Sequence, residues 1–286
     1  MYMKNSTIVA KLITATLVAA IVALGFTGCA KKAPETRLDT IKKAGKIILG
    51  TSADYPPYEF HTQIDGKDTI VGFDVEIAKE VAKDLGVQLE IKDMDFDGLL
   101  AALSTGNIDM VIAGMTPTEE RKQNVDFSDI YYYAEHGVLI RKADEAKYGA
   151  AVESLKDAMI GAQRGAIQVK LAKTRIKGVA DDKAEEPNAQ VKELGKLPDL
   201  VMELKNSKVE AVVAELPVAN AYLTANQDLV LASYTFKDAD GGSAIAVKKG
   251  ETALSAEINK TIARLVSEKK IDEFVSAASE QVGEYK

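Results

Sequence analysis

Residues 96–114, FDGLLAALSTGNIDMVIAG, and residues 197–215, LPDLVMELKNSKVEAVVAE, read alike: a helical apolar face, a polar turn, an acid, then an apolar strand. Two copies of one α/β unit about a hundred residues apart imply two similar lobes. Each lobe is then built on a mostly parallel sheet, and such sheets bind ligands outside the carboxyl ends of their strands. The strand ends are Gly114 and Glu215. Facing lobes bring these ends together across one cleft, where a small ligand is expected. A chance likeness is the alternative, because α/β proteins reuse the helix–strand unit freely.

Outward from the first copy, short apolar runs alternate with amphipathic stretches in βαβαβ order: 47–49, 73–85, 89–91, 96–103 and 110–113. In 73–85 the apolar Val75, Ala78, Ala82 and Leu85 recur at helical spacing, while Glu76–Lys79 and Glu80–Lys83 fall on the wet side. Gly86 supplies the left-handed residue that stops this helix. The run Met110 to Ala113 has no polar alternation, as a strand covered on both faces requires. Candidate crossings between the lobes are 131–135, within the run Tyr131-Tyr132-Tyr133, and 240–243, where Gly241-Gly242 can absorb a rotation. Leu254, Ile258, Ile262 and Leu265, then 271–278, read as C-terminal helices returning to the first lobe.

Composition narrows the function. The chain has 286 residues, 36 Lys plus Arg against 43 Asp plus Glu, and a formal charge of -7. An acidic surface does not suit nucleic acid, which needs clustered cations. His61 and His136 are the only histidines and Cys29 the only cysteine, so one chain assembles neither a disulfide framework nor a Cys/His metal site. No cofactor is implied.

Lys4 to Lys11 form a basic start, and the apolar run from Leu12 to Phe26 is short for a membrane span but suits an export signal over 1–28. The run ends Phe26-Thr27-Gly28-Cys29, which resembles a lipobox, with Phe26 in place of the commoner Leu. Cleavage there leaves Cys29 as a lipidated N-terminus on the extracytoplasmic face of the membrane, and 29–36 as its tether. The alternatives for Cys29 are a core thiol or an uncleaved anchor.

Further motifs occur in a fixed order. Asp54-Tyr55-Pro56-Pro57-Tyr58-Glu59-Phe60 follows the first strand, Gly72-Phe73-Asp74-Val75-Glu76-Ile77-Ala78 opens the first long helix, and Ala113-Gly114-Met115-Thr116-Pro117-Thr118-Glu119-Glu120-Arg121 precedes Val125-Asp126-Phe127-Ser128. Together they resemble the polar amino-acid solute-binding proteins of ABC importers, bacterial extracellular solute-binding protein family 3, over nearly the whole chain after Cys29. The resemblance implies a two-lobed, periplasmic-binding-protein-like fold of type II. Lobe 1 is 37–130 plus 244–286, lobe 2 is 136–239, and the crossings are those above. It implies a monomer that closes on a free amino acid, polar or basic, and hands it to permease subunits without catalysis.

Residue by residue, the resemblance makes Thr116 and Arg121 a clamp for the α-carboxylate, which a guanidinium can grip with two parallel donors. Glu215 and the Gly114 carbonyl take the ammonium, and the neighbouring Ala113 belongs to the contact set. Tyr55 and Phe96 sandwich the side chain. Gln163 and the turn Ala166-Ile167-Gln168 close from the second lobe, where a helix start favours an anion. Ser52 and Asp54 complete the set. Relatives usually carry Ser or Thr at the Ala166 position and often Asp at Ser52 and Glu215. Asp54, Glu59 and Glu215 permit a basic ligand, and Gln163 and Gln168 an amide. Two other classes stay open: an amino-acid-like dehydratase, with Glu59 and Glu215 as the candidate acid/base pair, and a ligand-sensing lipoprotein.

Overall fold

A computed structural model describes residues 35–237 and 241–284. The export signal, Cys29 and most of the tether lie outside the described residues, as does Asp240 of the second crossing. Residues 36–286 form a compact unit with its own core. No helix among the described residues is long and apolar enough to cross a membrane.

Thirteen strands are described: β1 Lys46–Thr51, β2 Asp54–Tyr55, β3 Glu59–Ile64, β4 Lys67–Val71, β5 Gln88–Asp93, β6 Met110–Val111, β7 Val125–Tyr132, β8 His136–Arg141, β9 Ile160–Gln163, β10 Val191–Leu194, β11 Ala211–Glu215, β12 Leu229–Leu231 and β13 Ser243–Lys248. They form two five-stranded sheets, ordered β5-β1-β6-β13-β7 and β10-β9-β11-β8-β12, and a small β2-β3-β4 meander. Each large sheet has a parallel trio and two antiparallel pairings, because one strand, β13 in the first sheet and β8 in the second, runs against both of its neighbours. The antiparallel pairs arise because the crossing strands enter each sheet from the other lobe.

The repeat occupies equivalent places, since β6 and β11 are the central strands of the two sheets. The shared acid does the same work in both. Asp109 Oδ2 accepts from the Ile48 N–H at 2.7 Å, and Glu210 Oε2 from the Met159 N–H at 2.6 Å. The acids' own N–H groups return bonds of 2.8 Å to the Ile48 and Met159 carbonyls. An acid just before a central strand thus fixes its register against the neighbouring strand.

The helix Phe73–Leu85 buries Val75, Ala78, Ala82 and Leu85 and ends at Gly86, whose N–H caps Ala82 and Lys83 carbonyls at φ 70°. Its outer pairs Lys79–Glu76 and Lys83–Glu80 close at 2.7 and 2.9 Å; exposed pairs of this kind add about 0.3–0.5 kcal/mol each. The stretch expected as one helix from Phe96 instead begins with a 3-10 turn, Phe96–Gly98, before the helix Leu99–Ser104. Gly98 disfavours a helix interior, and the tighter turn directs Phe96 toward the cleft. β6 is shorter than expected because Gly114 swings its N–H out of the sheet to Asp74.

Tyr133–Glu135 join β7 to β8, and beside them Ser243 of β13 pairs with Tyr132 while His136 bridges Phe236. Gly242 (φ 83°) admits no side chain, since a Cβ there would lie 2.5 Å from Ile130 Cγ2 and 2.6 Å from the Tyr132 carbonyl oxygen. The helix Thr252–Ser267 buries Leu254, Ile258, Ile262 and Leu265 and packs on β7 and Phe73–Leu85. The last helix, Lys270–Glu284, touches both Phe73–Leu85 and the helix Leu216–Ala225 that follows β11. Near its end Val282 packs with Phe60, Val71 and Ala221.

Candidate functional site

The ends of β6 and β11 meet across one hollow. It is bordered by all thirteen ligand-contact residues named from the sequence, Ser52 through Glu215, and additionally by Glu59.

On the first lobe, Asp54 and Tyr55 sit on β2 immediately beyond β1. Ser52 donates its hydroxyl to Asp54 Oδ1 at 3.2 Å. The Tyr55 and Tyr58 rings lie 5.5 Å apart, and Tyr58 packs tilted against Phe73 at 4.3 Å, which anchors the loop in the core. Thr118 caps the helix Glu119–Asn124, accepting from the Arg121 N–H. This cap turns the Arg121 side chain back along the loop, where Nη1 donates to the Thr116 carbonyl at 2.7 Å and the guanidinium lies 5.4 Å from the Phe96 ring centre. Charge over an aromatic face adds about 0.5–1 kcal/mol or more.

On the second lobe, Gln163 ends β9, and Ala166 starts the helix Ile167–Leu171 without a side-chain cap. The missing hydroxyl at Ala166 leaves the first-turn N–H groups to other acceptors. Glu215 ends β11, with Pro217 in the first turn of the next helix.

The lobes are joined across the hollow by named bonds. The Leu197 N–H donates to Asp54 Oδ2 and the Tyr222 hydroxyl to the Asp54 carbonyl, both at 2.9 Å. Arg121 Nη2 donates to the Gly165 carbonyl at 2.9 Å. Gln168 Nε2 and the Glu215 N–H both donate to the Tyr55 hydroxyl, at 3.2 and 3.3 Å, and the Tyr58 hydroxyl donates to Glu215 Oε2. Gly165 (φ 76°) allows the approach, because a Cβ there would fall 3.0 Å from Asp97 Cβ on the other lobe.

Burial dominates the electrostatics. Asp54 is pushed up to about 6 by burial, against the pull of the Leu197 N–H. Asp74, fully buried behind the hollow, is raised to about 7 by the same cause, although the Gly114 N–H and Tyr131 hydroxyl each donate to its Oδ2 at 2.9 Å. Glu59 is raised well above the carboxylate range by burial, and then by the charge of Asp74. Carboxyls whose titration burial raises in this way cluster at functional sites. No group of His, Cys, Asp and Glu fit to hold a metal ion occurs among the described residues.

The sequence signature described as bacterial extracellular solute-binding proteins, family 3, matches residues 47–277. The chain belongs to this family.

This solute-binding protein is 38% identical over 252 residues to the arginine-binding extracellular protein ArtP of Bacillus subtilis, covering 86% of this chain and 89% of that one. It is 31% identical over 263 residues to the ABC transporter glutamine-binding protein GlnH of the same organism, covering 90% of each. A solved amino acid ABC transporter substrate-binding protein of Streptococcus pneumoniae, bound to L-arginine, superposes with a TM-score of 0.78 at 34% identity. That match covers 86% of this chain and 98% of the other.

Four residues in or behind the hollow of the solute-binding protein fall outside the thirteen contacts taken from its motifs, namely Tyr58, Glu59, Asp74 and Tyr131, although Glu59 is already named among the acids that permit a basic ligand. His136 is a fifth, with Nδ1 3.4 Å from Gln168 Nε2. Glu59 carried a signal, being an acid inside a run that otherwise packs. Asp74 did not, because an acid in a helix's first turn ordinarily faces water and the dipole.

Proposed function

We propose that this solute-binding protein captures a free basic amino acid, of which arginine is the first candidate, by closing its lobes, and delivers it to an ABC importer. The observation that carries the reading is the charge of the hollow, lined by the carboxyls of Asp54, Glu59 and Glu215 against the single guanidinium of Arg121. Arginine complements that set, bringing one carboxylate for Arg121 and two cations for the acids. The arginine-binding relatives lend support. In this reading Thr116 and Arg121 take the carboxylate, Gly114 and Glu215 the ammonium, and Tyr55 and Phe96 cover the aliphatic stem.

Closure turns lobe 2 (136–239) against lobe 1 (37–130 plus 244–286) about the crossings 131–135 and 240–243. The bonds between Asp54 and Leu197 and between Arg121 and Gly165 then form only in the closed state, so ligand and closure favour each other. The chain works as a monomer held to the membrane through Cys29, and it transforms nothing. Glu59 and Glu215, the candidate acid/base pair, bear on Asp74 and Tyr58 respectively, which suits holding a cation better than moving a proton on a substrate carbon.

A panel of free amino acids tested by thermal shift and calorimetry on the chain from residue 30 onward checks this, because a ligand bound only to the folded form raises its melting temperature. Arginine and lysine are expected to give the largest shifts. A largest shift with an acidic or aliphatic amino acid would refute the basic assignment.

A further inference from the structure

Glu59 and Asp74 lie together on the first lobe, one at the start of β3 and the other in the first turn of the helix Phe73–Leu85. Both are wholly buried. Asp74 Oδ2 is filled by the Gly114 N–H and the Tyr131 hydroxyl. Asp74 Oδ1 and both oxygens of Glu59 find no ordinary donor. The Asp74 N–H donates to the Tyr58 carbonyl at 3.0 Å, which holds the two residues side by side, and the charge of Asp74 bears on Glu59.

The charges that act most strongly on Glu59 are those of other acids. Asp54 from β2 and Glu215 from the end of β11 bring further negative charge, while Tyr55, Tyr58 and Tyr131 bring neutral phenols. The cation of the hollow, Arg121, directs donors to the Thr116 and Gly165 carbonyls. Two bare carboxylates buried side by side are strongly disfavoured, and one proton between them converts an orphan oxygen into a donor.

We infer that Glu59 and Asp74 share one proton while the hollow is empty, and that the cationic group of an incoming amino acid displaces this proton to solvent. The pair thereby matches its charge to the occupancy of the hollow. No covalent bond to the ligand forms; the O–H of the pair breaks and the proton passes to water. The inference rests on the amino-acid reading of the site and adds a linkage to it. Proton release makes capture of a cation tighter as pH rises toward neutrality, because the competing proton becomes scarcer.

Calorimetry on the chain from residue 30 onward, at pH 7 in buffers of low and high ionisation enthalpy, counts the protons. Binding of L-arginine is expected to release about one proton per ligand. E59Q, which keeps the side chain's shape, is expected to cut the release to a small fraction and to weaken arginine by about tenfold or more. D74N serves the same purpose if E59Q does not fold.

L-glutamine separates the sources of the displacing charge. Release with glutamine as well assigns it to the α-ammonium, and release with arginine alone to the guanidinium; either supports the linkage. Tight arginine binding with no net release, or with uptake, overturns the inference and leaves the function standing. Failure of every amino acid to bind removes both.

Discussion

The hydroxyl of Tyr58, on the first lobe, donates to the carboxylate of Glu215, on the second. Both side chains are buried, and the bond spans the hollow at the ends of the two central strands. A buried hydrogen bond to a charged group contributes about 1.5–3 kcal/mol. This one is available only when the lobes are together. Tyr58→Phe is therefore expected to leave the fold of each lobe intact while weakening ligand binding by about tenfold or more. Calorimetry on the variant reads the loss, and unchanged affinity would show that the bond does not form in the bound state.

Arg121 is held by the Thr116 carbonyl and lies over the Phe96 ring, both on its own lobe, so its position is set before any ligand arrives. Arg121→Ala is expected to cost about 2–5 kcal/mol of binding to every amino acid that the wild type takes, since it removes the partner of the one group they share. Arg121→Lys is expected to recover little, because an ammonium cannot reach both carbonyls and a carboxylate in one plane. Titration with two chemically different ligands tests the claim, and a loss confined to one of them contradicts it.

The empty protein is expected to melt at higher temperature near pH 5 than at pH 8. Asp54, Asp74 and Glu59 all sit above their ordinary values, the first two at about 6 and about 7, so the folded state binds more protons than the unfolded one. Their contribution is whole below about pH 4 and disappears as pH climbs through 6 to 7 and beyond. Glu80, held low by Lys83, and Asp126, held low by Lys249, act in the opposite sense and are lost only in stronger acid. At this chain length each kcal/mol moves the melting point by about 2–4 °C. A scan from pH 4 to 8 without ligand decides it, and a curve that rises steadily toward pH 8 contradicts the burial argument.

Gly242→Ala is expected to destabilise the protein by about 1–3 kcal/mol in urea. The new methyl would meet Ile130 and the Tyr132 carbonyl at the crossing between lobes. A wild-type midpoint would mean that the backbone there relaxes freely.

Much of this arrangement is legible in the sequence because the site is written in contiguous motifs: a β-strand end delivers Gly114, and a capped turn delivers Thr116 and Arg121 within a few residues. The doubled helix–strand unit likewise announces two sheets. What stays hidden are residues whose environment is made by distant segments. Asp74 looks like a dipole-facing acid until Gly114 and Tyr131 close over it, and Tyr58 looks like core until Glu215 arrives from 157 positions away. The antiparallel strands escape notice for the same reason, since β7 and β13 become neighbours only after the chain has left one lobe and returned.

The final helix leans on both halves, and Val282 nests with Phe60 and Val71 on one side and Ala221 on the other. Parting the jaws has to strip that valine from one set of neighbours, so the gape is taxed by greasy contact outside the guest's own lining. Tags, cleavage or crowding at the tail can then retune affinity while every residue of the hollow stays the same.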